Sequence, residues 1–362
     1  MEQSLPEKVK ISPFLVFFLI HKFQFGVGVL GFQRIIALKA GFDAWISVVM
    51  AGLCVHFLIW MMYRISEAVN GDLMSVHTFI FGKIIGNILS LLFVFIYLFT
   101  AVITLRPFIE VIQAWMFEDL STFWFSLAFC GLGIYILYGG FRTVTGIAFF
   151  GVVLPAYLLF TFLFTIPYAD IRNLLPIFDH SIKDLAMASY HMSFTYSGFF
   201  ILLFFYPFIK EPQKSKKWAH LGALTTTIIY TLIAIATFSF FSEGQLQKNI
   251  WPTLTMWKIV EMPFVERFEY IGIANWSIIV LPNFCIALWC GSRILKNVTH
   301  LKQKYGVILL SFLVLIVTVM LKSRQQINTI IDYSGKIFFF INYGYVPLLF
   351  CLILIVKRGK QN

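Results

Sequence analysis

The sequence has little charge for its length. Of its 362 residues only 12% are Asp, Glu, Lys or Arg, whereas 59% are hydrophobic. An average soluble domain carries about 25% charged residues, and a soluble core of this size could not bury so much apolar surface. The scarcity of charge therefore excludes an ordinary soluble globular protein and indicates a protein that lies in a lipid bilayer.

Patterns that mark catalysis or metal binding are also missing. The sequence has no HExxH, no GxSxG and no phosphate-binding loop, and its seven histidines are dispersed. Its five cysteines lie in apolar runs without a CxxC pair or a spacing that suits zinc. We therefore expect no cofactor, no metal site and no disulfide, and an intramembrane enzyme is the weakest functional hypothesis.

Long apolar runs, by contrast, are abundant. Runs such as Ile84–Thr104 are long enough for a helix, which needs about 20 residues to cross a bilayer, and they lack the alternation of barrel strands. An all-α membrane protein is therefore predicted. We expect about ten spans, at residues 11–37, 44–63, 84–112, 122–137, 144–167, 186–208, 218–241, 268–292, 305–321 and 334–356.

Basic residues are concentrated on one side of this predicted bundle. Sixteen of the 28 basic residues, but only five of the 17 acidic ones, fall in the tails and in the loops on the amino-terminal side. Cytoplasmic segments of membrane proteins carry such an excess of positive charge, so we expect both termini in the cytoplasm. The net charge of +11 then reflects topology, and no nucleic-acid partner is expected because the basic residues form no single stripe.

The first predicted span contains three glycines, Gly26, Gly28 and Gly31, near mid-membrane. Glycine lowers the cost of leaving helical geometry. Unwound backbone within a membrane needs protein, water or a ligand to pair with it. The run therefore predicts a binding site, although close packing of helices through small residues is an alternative.

The sixth predicted span is the counterpart of the first. Its stretch Ser193–Gly198 combines hydroxyl side chains with a glycine inside an apolar helix. The ten spans divide into two repeats of five, about 11–167 and 186–356, within one membrane domain. Interrupted helices at matching positions of inverted repeats are typical of a transporter-type site near the midplane. The half-helix ends carry opposite partial charges, which would suit a zwitterionic amino acid.

Short motifs are spread in order along the whole chain: Gly26–Leu30, Ala40–Gly41, Asp43–Trp45, Tyr138–Gly140, Ile250–Thr253 and Glu266–Glu269. Together they resemble one known family, the B subunits of endospore germinant receptors. These proteins are also called spore germination permeases and belong to the amino acid/polyamine/organocation (APC) superfamily.

The resemblance implies a 5+5 inverted-repeat (LeuT-like/APC) fold in which helices 1 and 6 are discontinuous around a ligand. It also implies a subunit that senses a small nutrient germinant, with an amino acid as first candidate, in the inner membrane of the spore. The implied partners are a receptor A subunit, a lipoprotein C subunit and the lipid bilayer. A secondary amino acid transporter, proton-coupled or uncoupled, is the alternative function.

The implied pocket combines backbone of the first span with side chains of the third, sixth and eighth. Tyr97 would bind the ligand or donate to a nearby carbonyl, and Asn283 would face the pocket or satisfy the carbonyl that Pro282 frees. The predicted ligand-binding residues are Gly26, Val27, Gly28, Tyr97, Ala101, Thr104, Thr195, Tyr196, Ser197, Gly198 and Asn283.

Three charged residues inside the spans are candidates for gating or coupling. The Lys22 ammonium would replace the sodium ion of sodium-coupled relatives, or would line a water-filled vestibule with His21. Arg106 and Glu110 are four residues apart on a helix and would form an outer gate or a local ion pair. The charged motif Glu266–Glu269 is predicted to clamp the outer loop to the eighth helix.

Overall fold

The structure is a computed structural model that describes residues 5–263 and 265–359. Within this part of the chain the regular secondary structure is helical, apart from two isolated β-bridges. Seven of the described helices are long and apolar enough to cross a membrane, and three shorter apolar ones, Leu15–Gln24, Thr122–Tyr138 and Ser197–Phe208, accompany them. The all-α membrane architecture is confirmed, while the count of ten spans stays a prediction.

The α-helices are α1 (Leu15–Gln24), α2 (Phe32–Ala40), α3 (Ala44–Val69), α4 (Leu73–Trp115), α5 (Thr122–Tyr138), α6 (Phe141–Val153), α7 (Ile182–Thr195), α8 (Leu202–Phe205), α9 (Pro212–Phe240), α10 (Glu243–Lys248), α11 (Pro252–Trp257), α12 (Phe268–Thr299), α13 (Gln303–Met320), α14 (Arg324–Phe339) and α15 (Val346–Gly359). A π-helical turn, Phe340–Tyr345, joins the last two.

Short 3₁₀ segments separate the two helix pairs that the sequence predicts to be interrupted. Val27–Leu30 lies between α1 and α2, and Ser197–Ile201 lies between α7 and α8. A third segment, Leu154–Tyr168, continues α6 for 15 residues. Runs of 3₁₀ helix longer than three or four residues are uncommon, so this last segment is an unusual stretch of wall for a helical bundle.

A glycine bends α4 near its start. Gly82 has φ +76° and ψ 173°, a region that residues with a Cβ rarely adopt. No described atom lies within 4 Å of a Cβ built there, so the backbone angle rather than crowding requires the glycine. The predicted third span began at residue 84, directly after this bend.

The bundle has two distinguishable faces. On the loop face lie the two short helices α10 and α11, which precede α12. On the opposite, terminal face, the amino-terminal segment is held by a β-bridge between Ile11 and Ile209. There the Arg293 guanidinium also pairs with the Asp72 carboxylate at 3.1 Å.

Two long helices form the centre of the bundle, because α4 and α12 pack against one another along their length. The half-helix α1 packs on α6, α9 and α12. It also contacts the 3₁₀ segment that follows α7. This arrangement brings the interruptions of the two half-helix pairs together inside the bundle.

Candidate functional site

A cavity of about 150 Å³, which we call the central cavity, lies where the two interrupted helices meet α4 and α12. Its described lining includes no Asp, Glu, Lys, Arg or His, so backbone dipoles and neutral side chains would meet a ligand. Nine of the predicted ligand-binding residues line it: Gly26, Val27, Gly28, Tyr97, Thr104, Thr195, Ser197, Gly198 and Asn283.

The first interruption, Phe25–Gly31, begins directly after Gln24, because Phe25 and Gly26 leave helical geometry. Phe25 has φ −112° and ψ 102°, and Gly26 has φ −140° and ψ −152°. Both conformations are extended, so neither position requires a glycine for its backbone angles. At Gly26 the requirement is space, because a Cβ built there lies 3.2 Å from Asn283 Nδ2.

Side chains from the protein complete the hydrogen bonds of this extended stretch. The Phe25 carbonyl oxygen accepts from Lys22 Nζ at 2.8 Å and from Asn283 Nδ2 at 3.2 Å. Lys22 Nζ also donates to Asn283 Oδ1 at 3.0 Å. The Gln24 carbonyl accepts from the Tyr230 hydroxyl. The unwound backbone is therefore paired with protein, as a membrane interior requires.

The loop-face helix α11 covers the other end of the first interruption. Thr253 Oγ1 donates to the Val29 carbonyl at 3.1 Å and accepts from Gln33 Nε2 at 2.8 Å. The Ile250 carbonyl oxygen lies 2.6 Å from a Cβ built at Gly31. Gly31 thus permits a close backbone approach, which is the packing role that the sequence left open as an alternative.

The second interruption, Tyr196–Ile201, departs much less from a helix. Tyr196 has φ −79° and ψ −8°, and the 3₁₀ turn that follows leads directly into α8. Gly198 is required for packing, because a Cβ built there lies 1.7 Å from the Phe23 carbonyl oxygen. Thr195, Ser197 and Gly198 nevertheless line the central cavity.

Two predicted ligand-binding residues do not line the central cavity. Tyr196 is fully buried and its hydroxyl donates to the Val48 carbonyl at 3.2 Å, so this prediction was wrong. Ala101 is also fully buried, and Thr100 and Ile103 line the cavity instead. Successive residues of a helix are rotated by about 100° around its axis. The face of α4 that lines the cavity therefore includes Thr100 and Ile103 but not Ala101.

The α4 side chains that line the cavity offer a ligand fewer hydrogen-bond donors than the sequence suggested. The Tyr97 hydroxyl is buried beside the Cys290 thiol and has no hydrogen-bond partner of ordinary geometry among the described residues. Its ring therefore forms the wall. The hydroxyls of Thr100 and Thr104 donate back to α4 carbonyls at 2.8 and 2.7 Å. Each retains acceptor capacity towards a ligand. Thr100 lies three residues after Tyr97, and this helical spacing would have identified it from the sequence.

Lys22 is 1% exposed, which makes it one of the largest fully buried side chains in the protein. Its two acceptors, the Phe25 carbonyl and Asn283 Oδ1, are uncharged oxygens of the kind that bind hard cations. His21 is also buried, with Nδ1 2.9 Å from Thr226 Oγ1. Both side chains line a second cavity of about 210 Å³, so the vestibule predicted to be lined by His21 and Lys22 stays a prediction.

A cavity of about 350 Å³, the vestibule, extends from the central cavity towards the loop face. Glu110 Oε2 and Arg324 Nη1 pair at 2.7 Å on its wall, and the Arg324 guanidinium lies over the Trp251 ring. None of the salt bridges among the described residues joins Arg106 to Glu110. Arg106 is buried and its Nε donates to the Leu321 carbonyl at 2.8 Å, at the carboxyl end of α13, an end that favours cations.

The charged motif Glu266–Glu269 lies at the junction of the loop and α12. Arg267 Nε donates to Glu269 Oε1 at 2.9 Å. Phe268 packs edge-on against Trp257 of α11. The Phe268 contact joins α11 to α12, whereas Arg267 and Glu269 pair locally, so a clamp formed by the charged residues stays a prediction. Elsewhere in the described residues, no group of three or more His, Cys, Asp or Glu side chains could hold a metal ion.

Two interrupted half-helix pairs around a central cavity are the arrangement of a transporter-type membrane fold. The chain is similar to a Na⁺-coupled sialic acid symporter solved in a substrate-bound, outward-open state. The TM-score is 0.71 at 12% sequence identity, over 99% of this chain and 82% of the symporter. The likeness confirms the predicted LeuT-like fold with discontinuous helices 1 and 6.

Sequence comparisons specify the family. A model of the spore germination protein family matches residues 10–327. The chain is 42% identical to spore germination protein GerQB of Bacillus cereus and 25% identical to spore germination protein A2 of Bacillus subtilis (strain 168). Both alignments cover 97% of each chain. The protein belongs to the spore germination protein family and is a permease-like, multi-pass membrane protein.

Proposed function

We propose that this chain is the membrane subunit of a spore germinant receptor and binds a small nutrient germinant in the central cavity. The observation that carries the proposal is the meeting of both helix interruptions at one cavity inside the bundle. The family supplies the process, because the relatives are named as spore germination proteins. Binding of the germinant would then trigger germination.

The size and chemistry of the central cavity favour an amino acid. Its volume of about 150 Å³ is well below the ~300–1,000 Å³ of pockets for drug-sized ligands. Val27 begins a 3₁₀ turn directly after the extended Phe25 and Gly26, so the first amides of this turn lack intrahelical acceptors and favour a carboxylate. Thr195 ends α7, whose last carbonyls favour an ammonium group. A zwitterion would use both kinds of helix end.

Lys22 supports a receptor that works without sodium. Its amine already bonds the unwound Phe25 carbonyl and the Asn283 side-chain oxygen, which are oxygens that a bound cation would otherwise use. We propose that Lys22 supplies this positive charge from within the protein. The Glu110 and Arg324 pair, with Arg106 behind it, would form the loop-face closure of the vestibule.

The proposed receptor would place the chain in the inner membrane of the spore, with both termini cytoplasmic and the loop face outside. Its partners would be a receptor A subunit and a lipoprotein C subunit. The second candidate is a secondary amino acid transporter, which is favoured by the fold shared with a Na⁺-coupled symporter. In that case the vestibule would be an outer entrance to the central cavity.

Deletion of the gene tests the proposal. Spores without the chain should lose the response to at least one amino acid in a panel of amino acids, sugars and nucleosides, and the wild-type gene should restore it. Uptake of the same labelled amino acid by vesicles that contain the purified chain tests the alternative. If every response survives deletion and the vesicles accumulate the amino acid, the transporter is correct and the receptor is not.

A further inference from the structure

A second cavity, the rear cavity, lies behind the first interruption on the side away from the central cavity. Its volume is about 210 Å³, and its lining is mostly apolar, with polar side chains from His21, Lys22, Thr225 and Thr253. Lys22 and Phe25 line it, whereas Asn283 lines the central cavity. The hydrogen bonds between Lys22, Phe25 and Asn283 therefore separate the two spaces.

Lys22 enters this apolar cavity without a counter-ion. None of the salt bridges among the described residues includes it. An ammonium has three N–H donors, and its described hydrogen bonds are to the Phe25 carbonyl and to Asn283 Oδ1. A buried charge without a partner is costly, so the chemistry of the cavity favours an anionic group beside Lys22.

A second donor lines the rear cavity and has no partner. Trp276 is 2% exposed, and its indole Nε1 makes no hydrogen bond among the described residues. The neighbouring Trp257 lines the same cavity, but its Nε1 donates to Thr161 Oγ1 at 2.9 Å. Buried indole N–H groups usually find an acceptor. The contrast between the two tryptophans indicates that an acceptor is missing at Trp276.

The rear cavity reaches the membrane-facing surface of the bundle. Ala156 and Leu159 line it and are exposed, and both belong to the long 3₁₀ segment Leu154–Tyr168. Thr225 and Ile229 of α9 form the adjacent wall and are half-buried. This seam is apolar and would face acyl chains. An occupant would therefore enter from the lipid and would itself carry an apolar chain.

We propose that the rear cavity is a membrane-facing site for a monocarboxylic acid with a short, unbranched alkyl chain. Its carboxylate accepts hydrogen bonds from Lys22 Nζ and Trp276 Nε1, and its alkyl chain lies along the seam between the 3₁₀ segment and α9. If acid and amine meet as neutral species, the acid O–H proton moves to the amine lone pair. The same ammonium–carboxylate pair results.

Binding of octanoate to the full chain in lipid nanodiscs tests this site directly. Radiolabelled octanoate, corrected for binding to empty nanodiscs, should saturate at one molecule per chain. Octan-1-ol has the same alkyl chain without the charge and should compete about tenfold more weakly or worse, since hydrogen bonds to charged groups are the stronger ones. Lys22→Met should abolish the preference for octanoate over octan-1-ol. Trp276→Phe should weaken octanoate binding several-fold.

Two further variants keep the test decisive. Lys183→Met removes an exposed lysine outside the cavity and should leave octanoate binding unchanged. Ala156→Phe narrows the seam without removing a hydrogen bond and should weaken binding even if Lys22→Met fails to fold. The proposal would be overturned by any of three results: non-saturable binding, equal affinity for octanoate and octan-1-ol, or octanoate binding that Ala156→Phe does not change. The rear cavity would then not be a site for the acid. Because the measurement needs no germination, its failure is separate from failure of the proposed function.

Discussion

The two helix interruptions differ more than their matching positions suggest. At the first, the backbone becomes extended, and side chains of α1, α9 and α12 pair with its carbonyls. At the second, the backbone remains close to helical and the glycine serves a close backbone crossing. A glycine in a membrane helix can therefore mark exposed polar backbone or tight packing, and only the partners of that backbone distinguish the two.

Gly198→Ala is expected to have the largest effect, because it tests packing at the second interruption. A methyl group 1.7 Å from the Phe23 carbonyl oxygen forces backbone movement, so we expect a loss of about 3 kcal/mol or more. The yield and thermal stability of the membrane-inserted protein measure this. The matched control is Gly131→Ala, where no described atom lies within 4 Å of the new Cβ and stability should not fall. Equal stability of the two variants would contradict the packing role.

Lys22→Met should abolish germination while leaving more folded protein than Gly198→Ala. The change leaves the Phe25 carbonyl with Asn283 alone and removes the donor to Asn283 Oδ1. Spores with the variant should fail to respond at every sodium concentration, with Lys183→Met as the responsive control. A normal response at all sodium concentrations would show that the first interruption does not depend on this amine.

Thr195→Val tests the cavity side of the second interruption. The substitution keeps the shape of the side chain and removes a hydroxyl that lines the central cavity. A lost hydrogen bond of about 0.5–1.5 kcal/mol corresponds to a roughly two- to tenfold higher germinant concentration for half-maximal response. Dose–response curves at equal protein level measure the shift. An unchanged curve would limit ligand contact to the backbone of the first interruption.

Arg324→Gln should have the smallest effect, since it removes an ion pair on the wall of the vestibule whose arginine is partly exposed. The Arg324 side chain is 41% exposed, and such pairs contribute about 0–1 kcal/mol. We expect less than a threefold change in germinant sensitivity and little change in stability. Glu110→Gln should behave in the same way. A larger loss in either variant would mean that closure of the vestibule, rather than the central cavity, limits the response.

The sequence predicted the elements of the site better than their orientation. The glycines and hydroxyls of the two broken spans were informative because such residues are rare in lipid-facing helices. Ala101 and Tyr196 were misassigned because a single sequence does not give the rotation of a helix relative to its neighbours. The pairing of Glu110 with Arg324 could not be predicted either, because the two residues are distant in the chain.

The rear cavity could not be predicted from the sequence, for a different reason. Most of its lining is apolar, and such residues are ordinary in any membrane helix. In the sequence, Lys22 stood out as a charged residue inside a predicted span, but the residues that hydrogen-bond to it could not be predicted. Trp276 became informative only once its indole N–H was seen to lack an acceptor that Trp257 has.

The central claim is that a small solute contacts the first interruption within the central cavity, and Gly28→Ala tests it most directly. A Cβ built at Gly28 lies 3.5 Å from Thr195, an ordinary contact, so the variant should fold while a methyl group enters the cavity wall. Germination dose–response curves should shift by about tenfold or more for the cognate germinant, with Gly131→Ala unchanged. Identical curves for Gly28→Ala and wild type, at equal protein level and with every germinant, would contradict the claim.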